Sequence, residues 1–412
     1  MRQFVRRGDR VRFGTVCLAV SVVAAVAGCS SSSKSKSPSS AGGGSSSSSA
    51  ATSASSGPSS TSSGGGGATG VAYAKSQVAK YSPLRTTFPA PGPALTGVKG
   101  KLTGKTVWYI PVFLQAPIFT AESVALTDAL KNAGAKVHVC DAATNPSTAD
   151  SCLKQAVSSH AAGIVTGAID YSFASQAYAA AIAAKIPIVA TDNDKPGSFP
   201  NSPYVRRLTI GGLVYGALGA DWIIADSGGK AQVLYVGDNS NAGVTQTSAV
   251  TKEFAKQCPG CKVTVVKFSD PTIDKLPTAV SSAMTANPKI NYVFGGYDAP
   301  SGIFALQGAK QVTGRKFTYL TVTGQPPGLQ RVAGGQQAAD PGVDTAETMW
   351  NATDALLRMI TGGKQVNYLP AVRLFTKSNV PSDTKSASAY ASGSWYSNGG
   401  FRAMYTKLWG LS

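Results

Sequence analysis

The sequence predicts an α/β protein made of two similar, doubly wound lobes, each with a parallel sheet. From about residue 105 onward, short runs of β-branched residues alternate with helical segments of about 12 to 16 residues. Repeated β-α-β order requires a parallel sheet that is covered by helices on both faces. The part of the chain expected to be ordered, roughly 340 residues, exceeds what one hydrophobic core usually holds, which indicates two domains.

The predicted elements form two series in chain order. Strands of the first series are predicted at Val107–Val112, Lys136–Cys140, Gly163–Thr166 and Ile186–Thr191, with helices near Thr120–Ala133, Thr148–Ser158 and Ser172–Ala184. Helices of the second series are predicted near Leu213–Ala225, Thr245–Gln257, Ile273–Ala286 and Ser301–Gln311, with strands at Ala231–Val236, Lys262–Phe268, Tyr292–Gly295 and Thr318–Thr323. The two series have the same composition and order, so they predict two lobes of one architecture.

The N-terminus has the pattern of a lipoprotein signal peptide. Five arginines precede an uncharged run from Val16 to Ala27, which is too short to span about 30 Å of hydrocarbon. Small residues before Cys29 resemble the lipobox of bacterial lipoproteins. We therefore expect residues 1–28 to be removed and Cys29 to be lipidated, anchoring the exported chain to the outer face of the cell membrane. An ordinary cleaved signal with an incidental cysteine is the alternative.

A tether is predicted over residues 29–75. This stretch is dominated by Ser, Gly, Ala and Thr, and such a composition cannot bury enough apolar surface to offset the entropy lost on ordering. The net charge of +18 is spread along the chain, and beyond the signal peptide the longest basic run is the doublet Arg206-Arg207. Nucleic-acid binding is therefore not expected, because it needs clustered basic residues with stacking aromatics.

Four cysteines remain after the signal peptide and Cys29. An even number in an exported protein indicates two disulfides, and proximity in sequence pairs Cys140 with Cys152 and Cys258 with Cys261. The Cys258-Pro-Gly-Cys261 spacing also occurs in redox motifs and half zinc sites. It is not followed by further ligands at metal spacing, and it lies in a loop rather than at the start of a helix.

Candidate binding residues follow the predicted strands. Ligands of open α/β sheets bind beyond the carboxyl ends of the strands, so two facing lobes would form a cleft there. The loops at these positions are rich in carboxylates, amides and aromatic rings. The candidate ligand-binding residues are Phe113, Gln115, Phe119, Asp170, Tyr171, Asp192, Asn193, Asn239, Asn241, Gln246, Tyr297, Asp298 and Gln325.

Residues from about Lys105 to Thr376 resemble the ribose- and galactose-binding branch of the type I periplasmic binding proteins. Landmarks in the family's order carry the resemblance, among them Ala133 to Val137, which is similar to the family's helix-to-strand turn. Pro117-x-Phe119 is similar to the family's Asn-Pro-Phe-Phe, Ile186 to Asp192 is similar to its Ile-Pro-Val-Val-x-x-Asp strand, and Tyr297-Asp298 stands where the family has Asn-Asp.

The resemblance implies a three-segment hinge and a function in uptake. Crossings between the lobes are expected near Val205–Thr209, Ala338–Pro341 and Tyr368–Pro370. The N-terminal lobe would comprise residues 101–207 and 340–368, and the C-terminal lobe residues 208–339 and 369–412. The chain would capture a small polar ligand and deliver it to the permease subunits of an ABC importer. The alternative is a lipid-anchored sensory protein with the same pocket, which would signal to a membrane receptor.

The chemistry of the ligand is inferred from the positions at which the chain matches the family's binding residues and from those at which it departs from them. Phe119 would form an aromatic wall and Asp192 would accept from a hydroxyl. Asn193 replaces an arginine of the family, and Gln246 lies where another is expected. Carboxylates without these arginines favour a neutral or cationic ligand over an anionic one. A neutral, polyhydroxylated ligand fits best: a sugar, sugar alcohol or modified sugar. Asp170 and Asp298 have helix capping as an alternative role. Tyr171 and Tyr297 either cover a ring face or line the rim of the cleft.

Catalysis, metal binding and a cofactor are not indicated. Nucleophile elbows and phosphate-binding loops are missing in the required context, and the two histidines, His138 and His160, are interpreted as structural. Residues 377–412 extend beyond the usual end of the family and are rich in aromatic residues. Phe401, Tyr405, Leu408 and Trp409 recur at helical spacing, which predicts one buried apolar face.

Overall fold

The computed structural model describes residues 65–192, 197–209, 212–369 and 371–412. The predicted signal peptide, Cys29 and most of the predicted tether lie outside these ranges, as does Asn193. Within them, every helix is too short or too polar to cross a bilayer.

Helix α1 (Gly65–Tyr81) opens the described part of the chain. It packs against the helices of the C-terminal lobe, where Ala74 is fully buried and Val71 joins the same cluster. The backbone at Gly70 approaches the Gln257 carbonyl so closely that a Cβ would lie 1.9 Å from the oxygen. The prediction of a tether over residues 29–75 was therefore wrong for residues 65–75, because the apolar residues of this stretch have a surface to pack against.

The N-terminal lobe contains a five-stranded parallel sheet in the order β2-β1-β3-β4-β5. The central strands β3 and β4 are wholly buried, whereas the edge strand β2 alternates between exposed and half-buried residues. The strands are β1 (Thr106–Pro111), β2 (Lys136–Val139), β3 (Gly163–Gly167), β4 (Ile188–Thr191) and β5 (Val205–Leu208), and the helices are α2 (Pro117–Asn132), α3 (Pro146–Ser158) and α4 (Ser175–Ala183).

The C-terminal lobe contains a six-stranded sheet in the order β11-β10-β9-β8-β6-β7, in which only the β10–β11 pair is antiparallel. Its helices are α5 (Gly212–Ser227), α6 (Asn241–Gln257), α7 (Leu276–Ala286), α8 (Ser301–Gln311) and α9 (Pro326–Ala333). Its strands are β6 (Gln232–Asp238), β7 (Lys262–Phe268), β8 (Tyr292–Tyr297), β9 (Thr318–Val322), β10 (Ala339–Val343) and β11 (Val372–Thr376). The predicted fold class is confirmed.

The two sheets are joined by three connections: after β5, between β10 and helix α10 (Thr345–Thr361), and between α10 and β11. Helix α10 packs in the N-terminal lobe through Trp350 and Leu356. Two predicted hinge positions need correction. Val205–Leu208 and Ala339–Pro341 are paired strands, so the crossings follow them, and residues 340–343 belong to the C-terminal sheet rather than to the N-terminal lobe.

The C-terminal extension forms helices α11 (Ala387–Ser392) and α12 (Phe401–Leu408). The predicted apolar face of α12 is buried, and Trp409 stacks on Trp350 of α10 with ring centroids 5.3 Å apart. The assignment of all of residues 369–412 to the C-terminal lobe was wrong for α12, because its aromatic face completes the core beneath α10 in the N-terminal lobe.

Both predicted disulfides are present, joining Cys140 to Cys152 and Cys258 to Cys261. The first ties the end of β2 to α3. The second closes the turn between α6 and β7, as expected for a structural bond in a loop.

Candidate ligand-binding cleft

The carboxyl ends of the two sheets face each other. Ile118, in the first turn of α2, belongs to the buried cluster of the C-terminal lobe together with Val322 and Val343. Ala116 and Phe119 pack against the same cluster. The loop after β1 therefore bridges the lobes, and the predicted wall residue Phe119 lies between them.

The N-terminal half of the cleft contains a buried carboxyl pair. Asp192 follows β4 and is 6% exposed, and the Thr191 hydroxyl donates to its Oδ2 at 2.8 Å. Its carboxyl hydrogen-bonds that of Glu122 on α2, and the Tyr109 hydroxyl donates to Glu122 Oε2 at 2.6 Å. Burial and the neighbouring Asp192 hold the pKa of Glu122 well above its ordinary value. The two carboxyls are therefore held against each other in a buried position at the end of β4.

Glu122 is a site residue that the sequence analysis missed. In isolation it is indistinguishable from a glutamate on the exposed face of a helix. A signal was nevertheless present, because Ile118, Glu122 and Leu126 are spaced at i, i+4 and i+8 and share one helix face. The two apolar residues are buried, so the glutamate between them is buried too.

The C-terminal half contains a second carboxyl pair, Asp298 and Asp340. The Asp298 carboxylate accepts from the hydroxyls of Thr321 and Thr323 and, at 2.6 Å, from the backbone N–H of Gln325. Arg331 Nη2 lies 3.5 Å from Asp298 Oδ1 and partly compensates the charge. Burial raises the pKa of both carboxyls. Asp298 thus binds the backbone of Gln325 just before α9, and its side chain does not cap α8, the helix that follows it.

Two buried glutamines of the C-terminal lobe each have an amide oxygen without a hydrogen-bond partner. Gln325 is 3% exposed, and its Nε2 donates to Thr323 Oγ1 at 2.9 Å. Gln246, on α6, is 1% exposed and hydrogen-bonds the Tyr235 hydroxyl. The Oε1 atom of each is buried without a hydrogen-bond partner. Buried amide oxygens of this kind are suited to accept from hydroxyl groups.

The other predicted residues are at the rim or in a core. Gln115 is exposed and donates to Asp141 at 3.0 Å, next to the 41% exposed Phe113. Asn239 is exposed and donates to Ser269 at 3.1 Å. Asn241 begins α6, and Tyr297 is half-buried against the C-terminal cluster.

Asp170 and Tyr171 belong to a different environment. Asp170 is half-buried and its side chain does not cap the short helical turn that follows. Tyr171 stacks on Tyr178, with ring centroids 5.5 Å apart, and meets Phe199 edge-on. Tyr171 therefore packs on the aromatic part of the N-terminal core.

Other chemistry-bearing groups do not form a site. Among the residues that the structure describes, no three His, Cys, Asp or Glu side chains converge on a possible metal position. His138 packs on the Trp108 ring, with centroids 4.0 Å apart, which agrees with a structural role. Of two open depressions, one of about 340 Å³ lies at the starts of α3 and α4, and one of about 290 Å³ lies at the starts of β8 and β9.

Residues 107–365 match the family described as periplasmic binding protein domain, and the chain belongs to that family. This is a family of binding domains, so the expectation of a non-enzymatic protein and the resemblance stated above are confirmed. No curated protein sequence matches the chain significantly.

Solved structures share the fold at low identity. An ABC sugar transporter subunit from Rhodobacter sphaeroides 2.4.1 is 19% identical, with a TM-score of 0.57 over 67% of this chain and 99% of that one. The myo-inositol binding protein of Caulobacter is 19% identical, with a TM-score of 0.58 over 68% and 95%. GanP, a glucose-galactose binding protein from Geobacillus stearothermophilus, is 17% identical, with a TM-score of 0.58 over 67% and 99%.

Proposed function

We propose that the chain is an extracytoplasmic solute-binding lipoprotein that captures a neutral, polyhydroxylated molecule between its lobes and delivers it to an ABC importer. The observation that carries this proposal is the polar lining of the cleft. It consists of the hydrogen-bonded carboxyls of Glu122 and Asp192 on one side and, on the other, the buried carboxamide of Gln325 with its free oxygen.

A neutral ligand fits this lining better than a charged one. An anion would meet the paired carboxyls of Glu122 and Asp192, whose hydrogen-bonded neighbours Tyr109 and Thr191 carry no positive charge. Arg331, which lies beside Asp298, is already engaged by the protein because it also donates to Gln337. Vicinal hydroxyls both donate and accept, so they match carboxyl and carboxamide groups. Phe119 supplies an apolar surface for a ring face.

Delivery and anchoring rest on other observations. The structural relatives named above include a sugar transporter subunit and binding proteins for inositol and for glucose or galactose. Cys29 ends a signal-like segment and precedes a long run of Ser, Gly and Ala. Together these features favour an exported binding protein held at the outer face of the membrane by lipid.

Ligand capture is tested by a thermal-shift screen of the mature chain carrying Cys29→Ser against pentoses, hexoses, inositols, alditols, nucleosides and amino acids. At 100 times Kd, a ligand adds about 2.7 kcal/mol to the free energy of unfolding, which raises Tm by a few degrees. Asp192→Asn should weaken binding of the same ligand, whereas Asp226→Asn, on the outer helix α5, should not. Shifts with amino acids alone would overturn the proposed ligand class.

Anchoring is tested separately by metabolic labelling with a fatty acid. Label is expected on the wild-type chain and not on Cys29→Ser, which should be released from the membrane. A Cys29→Ser chain that stays with the membrane after washing would contradict the lipid anchor without bearing on the cleft.

A further inference from the structure

The turn between β9 and α9 has an unusual backbone. Thr323 has φ of 106° and Gly324 has φ of 62°. A positive φ at a β-branched residue is a strained conformation that persists only where the surroundings enforce it. Gln325, whose buried Oε1 lacks a partner, follows immediately. The position of that oxygen therefore depends on whatever holds the turn.

Tyr396, from the C-terminal extension, holds the turn between β9 and α9. Its hydroxyl donates to the Gly324 carbonyl at 2.6 Å and lies 3.4 Å from the Thr323 carbonyl. A Cβ at Gly324 or Gly342 would come within 2.3 or 2.7 Å of this hydroxyl. The tyrosine is thus wedged between the ends of β9 and β10, with its ring edge-on to Phe375 at 5.2 Å.

The segment that carries Tyr396 is itself fixed at the crossing between the lobes. Ser397 Oγ donates to Asp344 Oδ2 at 3.0 Å, and Asp344 is the N-cap of α10. Arg373 Nη1 donates to the Trp395 carbonyl, and the Arg85 backbone N–H donates to the Tyr396 carbonyl at 3.0 Å. The hydroxyl of Tyr396 therefore rests on a segment that is anchored on both sides.

We propose that Tyr396 is a positioning residue of the ligand site: it holds the Thr323–Gln325 turn so that the free oxygen of Gln325 faces a ligand hydroxyl. The C-terminal extension, which lies outside the family-matched residues 107–365, thereby helps to position a ligand-binding residue. The inference rests on the proposed function, because it gives a C-terminal segment a role at the same site.

The test compares Tyr396→Phe with Tyr405→Phe. Both variants lose one buried hydroxyl of the extension, but Tyr405 bonds Asn351 in the N-terminal lobe, away from the turn. Tyr396→Phe should lower the affinity for the ligand found in the screen about tenfold, the worth of one hydrogen bond. Tyr405→Phe should leave affinity unchanged while lowering Tm. Equal affinity in wild type and Tyr396→Phe would overturn the proposal.

A double-mutant cycle separates positioning from general stability. Gln325→Ala should weaken binding, and adding Tyr396→Phe should weaken it no further, because the tyrosine acts through the glutamine. Additive losses would overturn the proposal.

Amide exchange provides a readout without ligand. The N–H groups of Gly324 and Gln325 donate to Asp340 and Asp298, and they should exchange faster in Tyr396→Phe than in wild type or Tyr405→Phe. Unchanged exchange at these two amides would overturn the positioning role. If exchange accelerates but the wild-type chain binds no polyol, the proposed ligand class fails while the effect of Tyr396 on the turn stands.

Discussion

Arg85 places its Nη1 2.7 Å from both carboxylate oxygens of Glu347. Arg85 lies in the segment after α1, and Glu347 lies in the first turn of α10, beside the connection that joins the lobes. The backbone of Arg85 also pairs with Ser397. The segments at the two ends of the described chain therefore meet beside the hinge and are held to α10 by one ion pair.

Arg85→Ala should destabilise the protein more at pH 8 than at pH 5. Burial and the nearby Asp344 raise the pKa of Glu347 to about 7, above its ordinary 4.5. Ionisation of Glu347 therefore lowers stability as pH rises toward 7, and Arg85 limits that loss. Without Arg85 the pKa of Glu347 should be higher still, so the protein should lose more stability as Glu347 ionises, and over a range that reaches higher pH. We expect urea unfolding at pH 8 to show a free energy of unfolding that is lower by about 1–3 kcal/mol. This range allows for solvent screening of the ion pair, since the Arg85 side chain is 32% exposed.

Arg402→Ala is the matched control. Arg402 is also 32% exposed, but its partner Asp128 is 45% exposed, so the pair should contribute less than about 1 kcal/mol. Equal costs for the two arginines, or no pH dependence for Arg85→Ala, would contradict the prediction.

Asp221→Asn should stabilise the protein at alkaline pH. Burial and the adjacent Glu253 raise the pKa of Asp221 to about 8 from 3.8. Because the folded-state pKa is raised, the wild type loses stability between pH 4 and 8 as this carboxyl ionises. The asparagine side chain of Asp221→Asn does not ionise, so the variant should keep this stability. Its Tm at pH 9 should exceed that of wild type, and the difference in Tm should vanish near pH 4. Asp226→Asn, on the same helix, controls for the loss of a negative charge.

Gly328→Ala should be strongly destabilising. A Cβ at Gly328 would lie 2.1 Å from Asp298 Oδ1 and 2.2 Å from Asp340 Oδ2, at the point where the two carboxyls meet. We expect a cost of at least about 2 kcal/mol by urea unfolding, since overpacking of this kind displaces both groups. Gly260→Ala, whose Cβ would meet only the Gly229 carbonyl at 3.4 Å, should cost far less. A fully stable Gly328→Ala would show that the carboxyl pair can move apart at little cost.

Removing the Cys140–Cys152 disulfide should cost about 2–3 kcal/mol. The bond closes a loop with a sequence separation of 12, whereas Cys258–Cys261 spans only 3. On the loop-entropy account the longer loop gains more from closure. Urea unfolding of the paired Cys→Ser variants measures both effects, and a larger loss for the shorter loop would contradict this account.

The sequence predicted the repeating elements well because their hydrophobic patterns are local. Lys262–Phe268 and Ser301–Gln311, for example, have the predicted bounds. It did not predict β10, whose Ala-Asp-Pro-Gly-Val sequence lacks a strand pattern and is a strand because β9 and β11 flank it. One carboxyl of each pair was also missed, because its partner is brought to it by the fold and not by the local sequence. Asp192 and Asp298 follow strands and were recognisable. The helical spacing of Glu122 indicates burial but not its partner, and Asp340 meets Asp298 only through tertiary packing.

The core of the N-terminal lobe joins residues from nearly the whole described length of the chain. Leu95, Tyr109, Trp350 and Trp409 belong to one buried cluster. Contacts at such large sequence separation form slowly, because loop closure precedes the gain from packing. While the chain is being synthesised, the lobe has its sheet but lacks α10 and α12, so an apolar surface stays uncovered until the final residues emerge. The N-terminal lobe therefore completes its core only when α12 packs on α10. A chain stopped before Phe401 would leave Trp350 and its neighbours exposed, which favours aggregation.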